Sequence, residues 1–132
     1  MKDNKGAITI RSSAAEYLTF VSATHENGVE VVYADENVWL SQKMMSLLYD
    51  VEVNTINYHI KKLLNDREVD DSTIRNFRIV HTEGSRDIGR NVVHYNLSMI
   101  IAVGYKVDSE KAVQFRKWAG QIYLSLPVLF YN

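Results

Sequence analysis

The residues best suited to specific binding lie between positions 54 and 62, in a stretch without an acidic side chain. Asparagine can pair with adenine through two hydrogen bonds in the major groove of DNA, and threonine can bond a base edge or touch a thymine methyl group. Tyrosine and lysine can reach phosphate oxygens. The sequence therefore predicts contacts with duplex DNA from Asn54, Thr55, Asn57, Tyr58, Lys61 and Lys62.

A pair of short helices is needed to present these side chains. Ser41 is a good N-cap, and apolar residues follow it at helical spacing on both sides of a break near Asp50. Asp50 stands where such a turn normally has glycine, because the backbone there is left-handed. With Val51, Ile56, Ile60 and Leu63 turned inward, the segment 37–65 predicts a helix-turn-helix whose second helix exposes the candidate residues.

The same pattern is also typical of two packed helices with a polar outer face and no DNA-binding role. Glu52 occupies the position where serine or aspartate more often caps the second helix. The acidic flanks and the formal net charge of −1 also favour a different class of protein. A protein-interaction or dimerisation module therefore stays open as the alternative, as does a nucleic-acid enzyme whose catalytic part lies elsewhere.

A wing-like hairpin is predicted over residues 77–96. Its strands are Phe77–Thr82 and Val92–Tyr95, and the polar segment between them, residues 83–91, is expected to form a long tip. Arg86 and Arg90 in this tip would contact the DNA backbone or the minor groove. Alternatively, this tip is exposed to solvent and contacts no DNA.

The remaining elements complete one α+β domain over residues 1–132, with two small β-hairpins and two C-terminal helices. Residues 1–36 are expected to form an N-terminal hairpin from strands 17–24 and 29–34. Residues 98–126 are expected to form two helices, the first capped by Ser98 and the second by Asp108 or Ser109.

Composition narrows the chemistry that the chain can perform. It contains no cysteine, which excludes disulfides, thiolate metal sites and cysteine nucleophiles. His81 and His94 could face each other across the second hairpin, but without a clear third ligand we expect no metal, no cofactor and no catalysis. Residues 75–132 hold 8 basic and 4 acidic side chains, so DNA contacts should combine the central helix with this half.

Four segments in order resemble the RhuM family of virulence-associated bacterial proteins. That family typically shows Trp-Leu-Thr-Gln, Tyr-Asn-Leu, Gly-Tyr-Arg-Val and Phe-Arg-x-Trp-Ala. The segments here are residues 39–43 (WLSQK), 94–97 (HYNL), 104–107 (GYKV) and 115–119 (FRKWA). The resemblance covers about residues 31–122, and Ser41 and Lys106 depart mildly from the pattern. It implies a DNA-binding role linked to virulence or mobile DNA, and a chain that is an N-terminal domain or a shortened member.

These observations combine into one leading prediction. The chain is expected to be a winged or wing-like helix-turn-helix domain that binds duplex DNA as a homodimer and regulates transcription. A signal peptide and a run of about 20 apolar residues are both missing from the sequence, so we expect a cytoplasmic protein without membrane contact.

Overall fold

An antiparallel sheet and helices packed against it make up residues 28–125, which the computed structural model describes, with side chains described to residue 119. The elements are β1 (Val32–Ala34), β2 (Asn37–Ser41), α1 (Gln42–Tyr49), α2 (Val53–Asn65), a 3-10 turn (Asp71–Thr73), β3 (Ile74–Glu83), β4 (Arg86–Asn96), α3 (Leu97–Gly104) and α4 (Glu110–Ser125). The predicted α+β class is confirmed.

The strands form one sheet in the order β1-β2-β4-β3, in which all neighbours are antiparallel. β2 pairs with the base of β4, so that Tyr95 lies between Leu40 on one side and Ile74 on the other. The described residues contain two hairpins, β1–β2 and β3–β4, and both belong to this one sheet. The hairpins share one sheet because β2 supplies hydrogen bonds to both of its neighbours.

The first hairpin of the described residues joins β1 to β2 through Asp35 and Glu36, which both have positive φ angles, 52° and 57°. Positive φ angles at both central residues are what a type I′ turn requires, and this turn commonly joins the strands of a β-hairpin. The strand predicted over residues 29–34 is shorter, since only Val32–Ala34 is extended and paired. The predicted strand over residues 17–24 lies outside the described residues.

The second hairpin differs most from its prediction. β3 and β4 pair continuously from Ile74↔Tyr95 to Glu83↔Arg86, and only Gly84 and Ser85 form the turn. Gly84 has a φ of 65°, which suits the first central position of a two-residue turn. The long polar tip predicted over residues 83–91 is wrong, because those polar residues continue the strands and are solvated on both faces.

The turn between α1 and α2 has the backbone that the sequence predicted. Ser41 caps α1, its Oγ accepting a hydrogen bond from the Met44 backbone N–H at 3.2 Å. Asp50 has φ 56° and ψ 51°, in the left-handed region, and the Val51 N–H donates to the Ser46 carbonyl at 3.1 Å. This pattern satisfies the last carbonyls of a helix and turns the chain sharply. α2 then begins at Val53, and three residues, 50–52, separate it from the end of α1.

Asp50→Gly is expected to stabilise the domain by about 0.5–1 kcal/mol, because glycine adopts a left-handed backbone without a Cβ penalty. Asp50→Ala should destabilise it by a similar amount, since alanine adopts the left-handed backbone less readily than aspartate does. Denaturant midpoints of the two variants measure this. Equal midpoints for glycine and alanine would contradict the assigned role of this turn.

Tyr49, at the end of α1, connects this helix to α3 and α4. Its ring packs edge to face on Phe115 of α4, with centroids 5.4 Å apart, and its hydroxyl donates to the Ile100 carbonyl at 2.6 Å. Gly104 lies in the same place, where a Cβ would stand 2.7 Å from the Tyr49 hydroxyl oxygen and 3.0 Å from Phe115. No other residue fits at position 104 without moving buried rings.

The C-terminal helices begin slightly differently from their prediction. The cap of α3 is Asn96, whose Oδ1 accepts from the Met99 N–H at 3.2 Å, and Ser98 lies within the helix. Asparagine takes this role because it ends a strand in the extended backbone that a cap needs. Ser109 caps α4, accepting from the Ala112 N–H at 3.1 Å. Of the helices in the described residues, none combines the length and the apolar character that a membrane span requires.

Candidate nucleic-acid interface

α2 buries one face and exposes the opposite one. Ile56, Ile60 and Leu63 are buried, as predicted from their spacing. The side chains directly opposite them are exposed, and these are Asn54, Tyr58, Lys61 and Lys62. Tyr58 is 59% exposed, which is unusual for a large aromatic side chain and leaves its ring and hydroxyl open to a partner.

Thr55 and Asn57 lie on the flanks of α2, where both are half-buried, and the prediction that they share the outward face is wrong. A helix turns by about 100° per residue, so the neighbours of buried Ile56 lie beside the packed face. Asn57 is held there by a hydrogen bond, in which Gln42 Nε2 donates to its Oδ1 at 3.1 Å. Gln42 Nε2 also donates to the Tyr95 hydroxyl at 3.2 Å.

This pair of hydrogen bonds brings three elements together at one point. Gln42 is the first residue of α1, Asn57 lies in the middle of α2, and Tyr95 is near the end of β4. Gln42 and Tyr95 are not among the site residues that the sequence predicts. Position 42 follows a helix cap, and the exposed Lys43 beside it also belongs to the first turn of α1. Unpaired backbone N–H groups at such a helix start favour an anion.

The two lysines of α2 differ in their surroundings. Lys62 forms an ion pair with Asp66 one turn later, with 3.3 Å between Nζ and Oδ2. The hydrogen bond to Asp66 raises the pKa of Lys62, and the charge of this carboxylate adds to the effect. Among the described residues, no carboxylate lies within ion-pair distance of Lys61. Lys61 therefore offers a full positive charge to an anionic partner, whereas that of Lys62 is partly compensated.

His59 borders the same face near the C-terminal half of α2. It lines a small cleft with Tyr58, Leu63 and Lys106. Partial burial lowers the pKa of His59, and the positive charge of Lys106 lowers it further. Both effects favour the neutral form of the imidazole. Lys106 itself is paired with Glu68, at 3.4 Å.

The hairpin arginines are exposed, and only one of them is at the tip. Arg86 stands opposite Glu83 beside the turn, whereas Arg90 stands opposite Ile79. Four residues of strand separate them, about 13 Å on the same face of the hairpin. The prediction that both occupy the tip is wrong, because the strands extend almost to the turn. Within residues 28–125, neither arginine has a carboxylate at ion-pair distance.

The base of the hairpin is held by aromatic packing. The Phe77 ring contacts the rings of Trp39 and His94, with centroid distances of 5.4 and 5.2 Å. The Arg75 guanidinium lies 4.6 Å from the Phe77 centroid and forms an ion pair with Asp35 in the β1–β2 turn. These contacts fix the hairpin relative to β2 and therefore relative to α1, which follows β2 directly.

The two histidines of the hairpin do not face each other. His81 pairs with Ile88 and His94 pairs with Arg75, and only His94 is buried. His94 Nδ1 lies 2.9 Å from the Val92 carbonyl oxygen. The described residues contain no group of three or more histidine or carboxylate side chains placed to hold a metal ion.

Comparison with protein families confirms the resemblance over part of the chain. Residues 72–126 match the model of the Virulence protein RhuM family, which covers the β3–β4 hairpin and both C-terminal helices. The match begins after α2, so it does not include the two helices before it. No curated protein and no solved structure matches the chain.

Gly104 and Arg116, both in the matched segment, make contacts inside the fold near the end of α3. Gly104 packs against Tyr49 and Phe115, and Arg116 Nη1 donates to the carbonyls of Gly104 and Val107, at 2.8 and 3.0 Å. Arg116 thereby satisfies the carbonyl of the last residue of α3, which has no partner within the helix, and that of Val107 in the loop after it. This arginine is engaged inside the fold and is not counted among the candidate DNA contacts.

Proposed function

We propose that this chain, which matches the RhuM family over residues 72–126, binds duplex DNA with α2 as the reading helix in the major groove. The observation that carries the proposal is the unit formed by α1, the left-handed Asp50 and α2, which exposes a polar helix face without a carboxylate. In a helix-turn-helix the second helix enters the major groove, and residues near its N-terminus contact base edges.

The roles follow from position and chemistry. Asn54 and Tyr58 lie one turn apart on the outward face and are suited to base edges and to phosphates. Lys61, farther along the helix, is placed to contact a phosphate. Lys43 and the N-terminal turn of α1 would face the DNA backbone, where the first helix crosses it.

The β3–β4 hairpin would contribute charge without reading sequence. Arg86 and Arg90 are exposed and unpaired among the described residues, so each is available to neutralise one phosphate. In this proposal the hairpin acts as a wing along the backbone. Its length, ten residues in β3 and eleven in β4, gives it a reach of about 30 Å.

We also propose that two copies bind together and that the protein regulates transcription, with no catalytic step. One reading helix contacts only a few base pairs, and a two-fold dimer doubles that contact over half-sites about 34 Å apart. Selected sites should then be inverted repeats. The matched family is named for virulence, and we propose that setting for the regulation.

Asn54→Ala and Tyr58→Ala are expected to weaken binding to a selected duplex by about 5- to 150-fold each, since a lost base contact costs roughly 1–3 kcal/mol. Both side chains are exposed, so the fold should be unaffected. Asn65→Ala is the matched control, because Asn65 is exposed on the same helix but at its C-terminal end. Fluorescence titration of labelled duplexes measures the effect. Affinities equal to wild type for both variants would exclude α2 as a reading helix.

A protein-interaction module is the second candidate, and exposed apolar residues on the hairpin favour it. Val80 is 56% and Val93 42% exposed, on the face opposite to Arg86 and Arg90. A module of this kind would bind duplexes weakly at every salt concentration. It would also be insensitive to the α2 substitutions, so the same titrations distinguish the two functions.

A further inference from the structure

We infer that two copies of this chain join through the outer edge of β3, so that their sheets continue into one across a two-fold axis at Ile79. The two β3 strands then run antiparallel to each other. This inference rests on the proposed function, in which two copies bind together, and it names the surface that joins them.

β3 is an edge strand, and within residues 28–125 its outer side has no partner strand. It is the last strand in the order β1-β2-β4-β3, and its ten residues pair with β4 alone. This length is about twice that of a typical strand. Natural proteins protect such an edge with proline, a bulge or a short strand, because its N–H and C=O groups pair readily with another chain. β3 contains no proline, and its pairing with β4 continues without a bulge.

Alternate residues of β3 direct their backbone groups away from β4. Glu83 and Arg86 close a two-residue turn and therefore form a hydrogen-bonded pair, and every second residue before Glu83 is bonded to β4 in the same way. The residues between them present N–H and C=O to the outer edge, and these are Asn76, Arg78, Val80 and Thr82. Antiparallel pairing of residues 75–83 with the same segment of a second copy would form about eight hydrogen bonds.

Charge selects one register for this self-pairing. With Ile79 on the axis, Arg75 lies opposite Glu83 of the second copy, and symmetry gives this ion pair twice. The Arg75 side chain is 45% exposed beside its ion pair with the β1–β2 turn, so it can accept a second carboxylate. An axis at Arg78 would instead set two arginines opposite each other, which is destabilising. An axis at Val80 would place Arg75 beyond the end of the paired strand.

The side chains that meet near the axis are largely apolar. The two Ile79 side chains face each other as a non-hydrogen-bonded pair, with Cα atoms about 4.5 Å apart. Phe77 lies opposite His81 of the second copy, as an aromatic cross-strand pair. On the other face, Val80 is 56% exposed in the single chain and lies opposite the aliphatic stem of Arg78. The pairing therefore covers an apolar side chain that a single copy leaves in water.

The proposed wing contacts are compatible with this dimer. Arg86 and Arg90 belong to β4, which lies on the opposite side of β3 from the second copy. Pairing through β3 therefore leaves both arginines uncovered in each copy. Self-association can also be measured without DNA, which keeps its test independent of duplex binding.

Light scattering of the full chain at a series of concentrations, without DNA, measures the pairing. Wild type should be a dimer that dissociates on dilution. Val80→Pro should weaken self-association by about 5- to 150-fold, because each copy loses one hydrogen bond across the axis. Proline is tolerated there because the Val80 N–H points away from β4 and the β3–β4 pairing is kept. Val80→Ala keeps this N–H and is the matched control, which should weaken self-association far less.

Cysteine cross-linking tests the register. The chain contains no cysteine, so one substitution introduces a single thiol. Ile79→Cys should form a disulfide between two copies on mild oxidation, since Cα atoms about 4.5 Å apart are within the range that a disulfide spans. Thr82→Cys is the control on the same strand. In this register the two copies of position 82 are about 20 Å apart, so Thr82→Cys should stay unlinked.

The outcomes separate this inference from the proposed function. A wild type that is monomeric at every concentration, or a dimer in which Ile79→Cys does not link, overturns the pairing through β3, and duplex titrations then judge DNA binding alone. A dimer that links through Ile79→Cys and binds no duplex supports the pairing and overturns the DNA-binding role. If thermal unfolding shows that Val80→Pro is not folded, the two cysteine variants decide.

Discussion

Alanine at both Arg86 and Arg90 should flatten the salt dependence of duplex binding by about two units of slope. Log affinity falls with log salt at about −0.9 per neutralised phosphate, because each contact releases a condensed counterion. When the salt concentration rises fourfold, duplex affinity should therefore fall for both proteins, and the fall should be roughly tenfold smaller for the double variant than for wild type. Folding should be unchanged, since both side chains are exposed and unpaired among the described residues.

The spacing of the two arginines sharpens this test. Because about 13 Å of strand separates them, each should contact a different phosphate, and each single variant should reduce the slope by about one unit. Lys117→Ala, an exposed cation on α4, is the control and should leave the slope unchanged. Sequence preference should be retained throughout, since phosphate contacts do not read bases. A slope unaffected by the double variant would remove the hairpin from the interface.

Ile56→Ala is expected to destabilise the domain by roughly 2–5 kcal/mol, the largest effect on stability that we predict. Ile56 has no exposed surface and lies in the core where α2 packs. Truncation removes three methyl or methylene groups and leaves a cavity that the surrounding side chains fill only in part. Urea denaturation measures the loss as a lower midpoint.

Asn54→Ala provides the comparison on the same helix. Asn54 is exposed, and its truncation should change the midpoint by less than about 0.5 kcal/mol in free energy. Comparison of the two variants tests which side of α2 faces the core, and the proposed interface depends on this. Similar midpoints for the two variants would mean that the helix faces the core with a different side.

The phase of α2 and the turn before it were predictable because their causes are local. Apolar residues at positions 56, 60 and 63 repeat with the period of a helix, and aspartate is one of few residues that accept the left-handed backbone at position 50. Local signals of this kind need no knowledge of the rest of the chain. These local signals predict α1, the turn and α2, which carry most of the proposed interface.

The extent of the hairpin was not predictable in the same way. Residues 83–91 are polar because both faces of the distal hairpin are solvated, so they show no alternation of apolar and polar side chains. Their strand conformation depends on backbone pairing between β3 and β4. Polar composition therefore predicts a loop here with Arg90 at its tip, whereas Arg90 lies within β4.

The bridge that Gln42 forms between Asn57 and Tyr95 had no signal in the sequence. Its two partners lie 15 and 53 residues away, and they approach Gln42 only after the sheet and both helices have assembled. A residue type that is common on protein surfaces gives no indication of such a role. Only the folded arrangement shows that Asn57 has one of its two polar atoms already engaged.

Tyr49 limits how the two central helices can be separated from the rest of the fold. Its hydroxyl donates to Ile100 in α3, and its carbonyl accepts from Ser109, the residue that caps α4, at 2.6 Å. α1 therefore depends on groups that lie 51 and 60 residues further along the chain. Recombination that moves only α1 and α2 into another protein would therefore remove the partners on which α1 depends. A hybrid that keeps α1 and α2 must also inherit α3 and the start of α4, so binding specificity in such proteins should change by substitutions on α2 rather than by exchange of the helix pair.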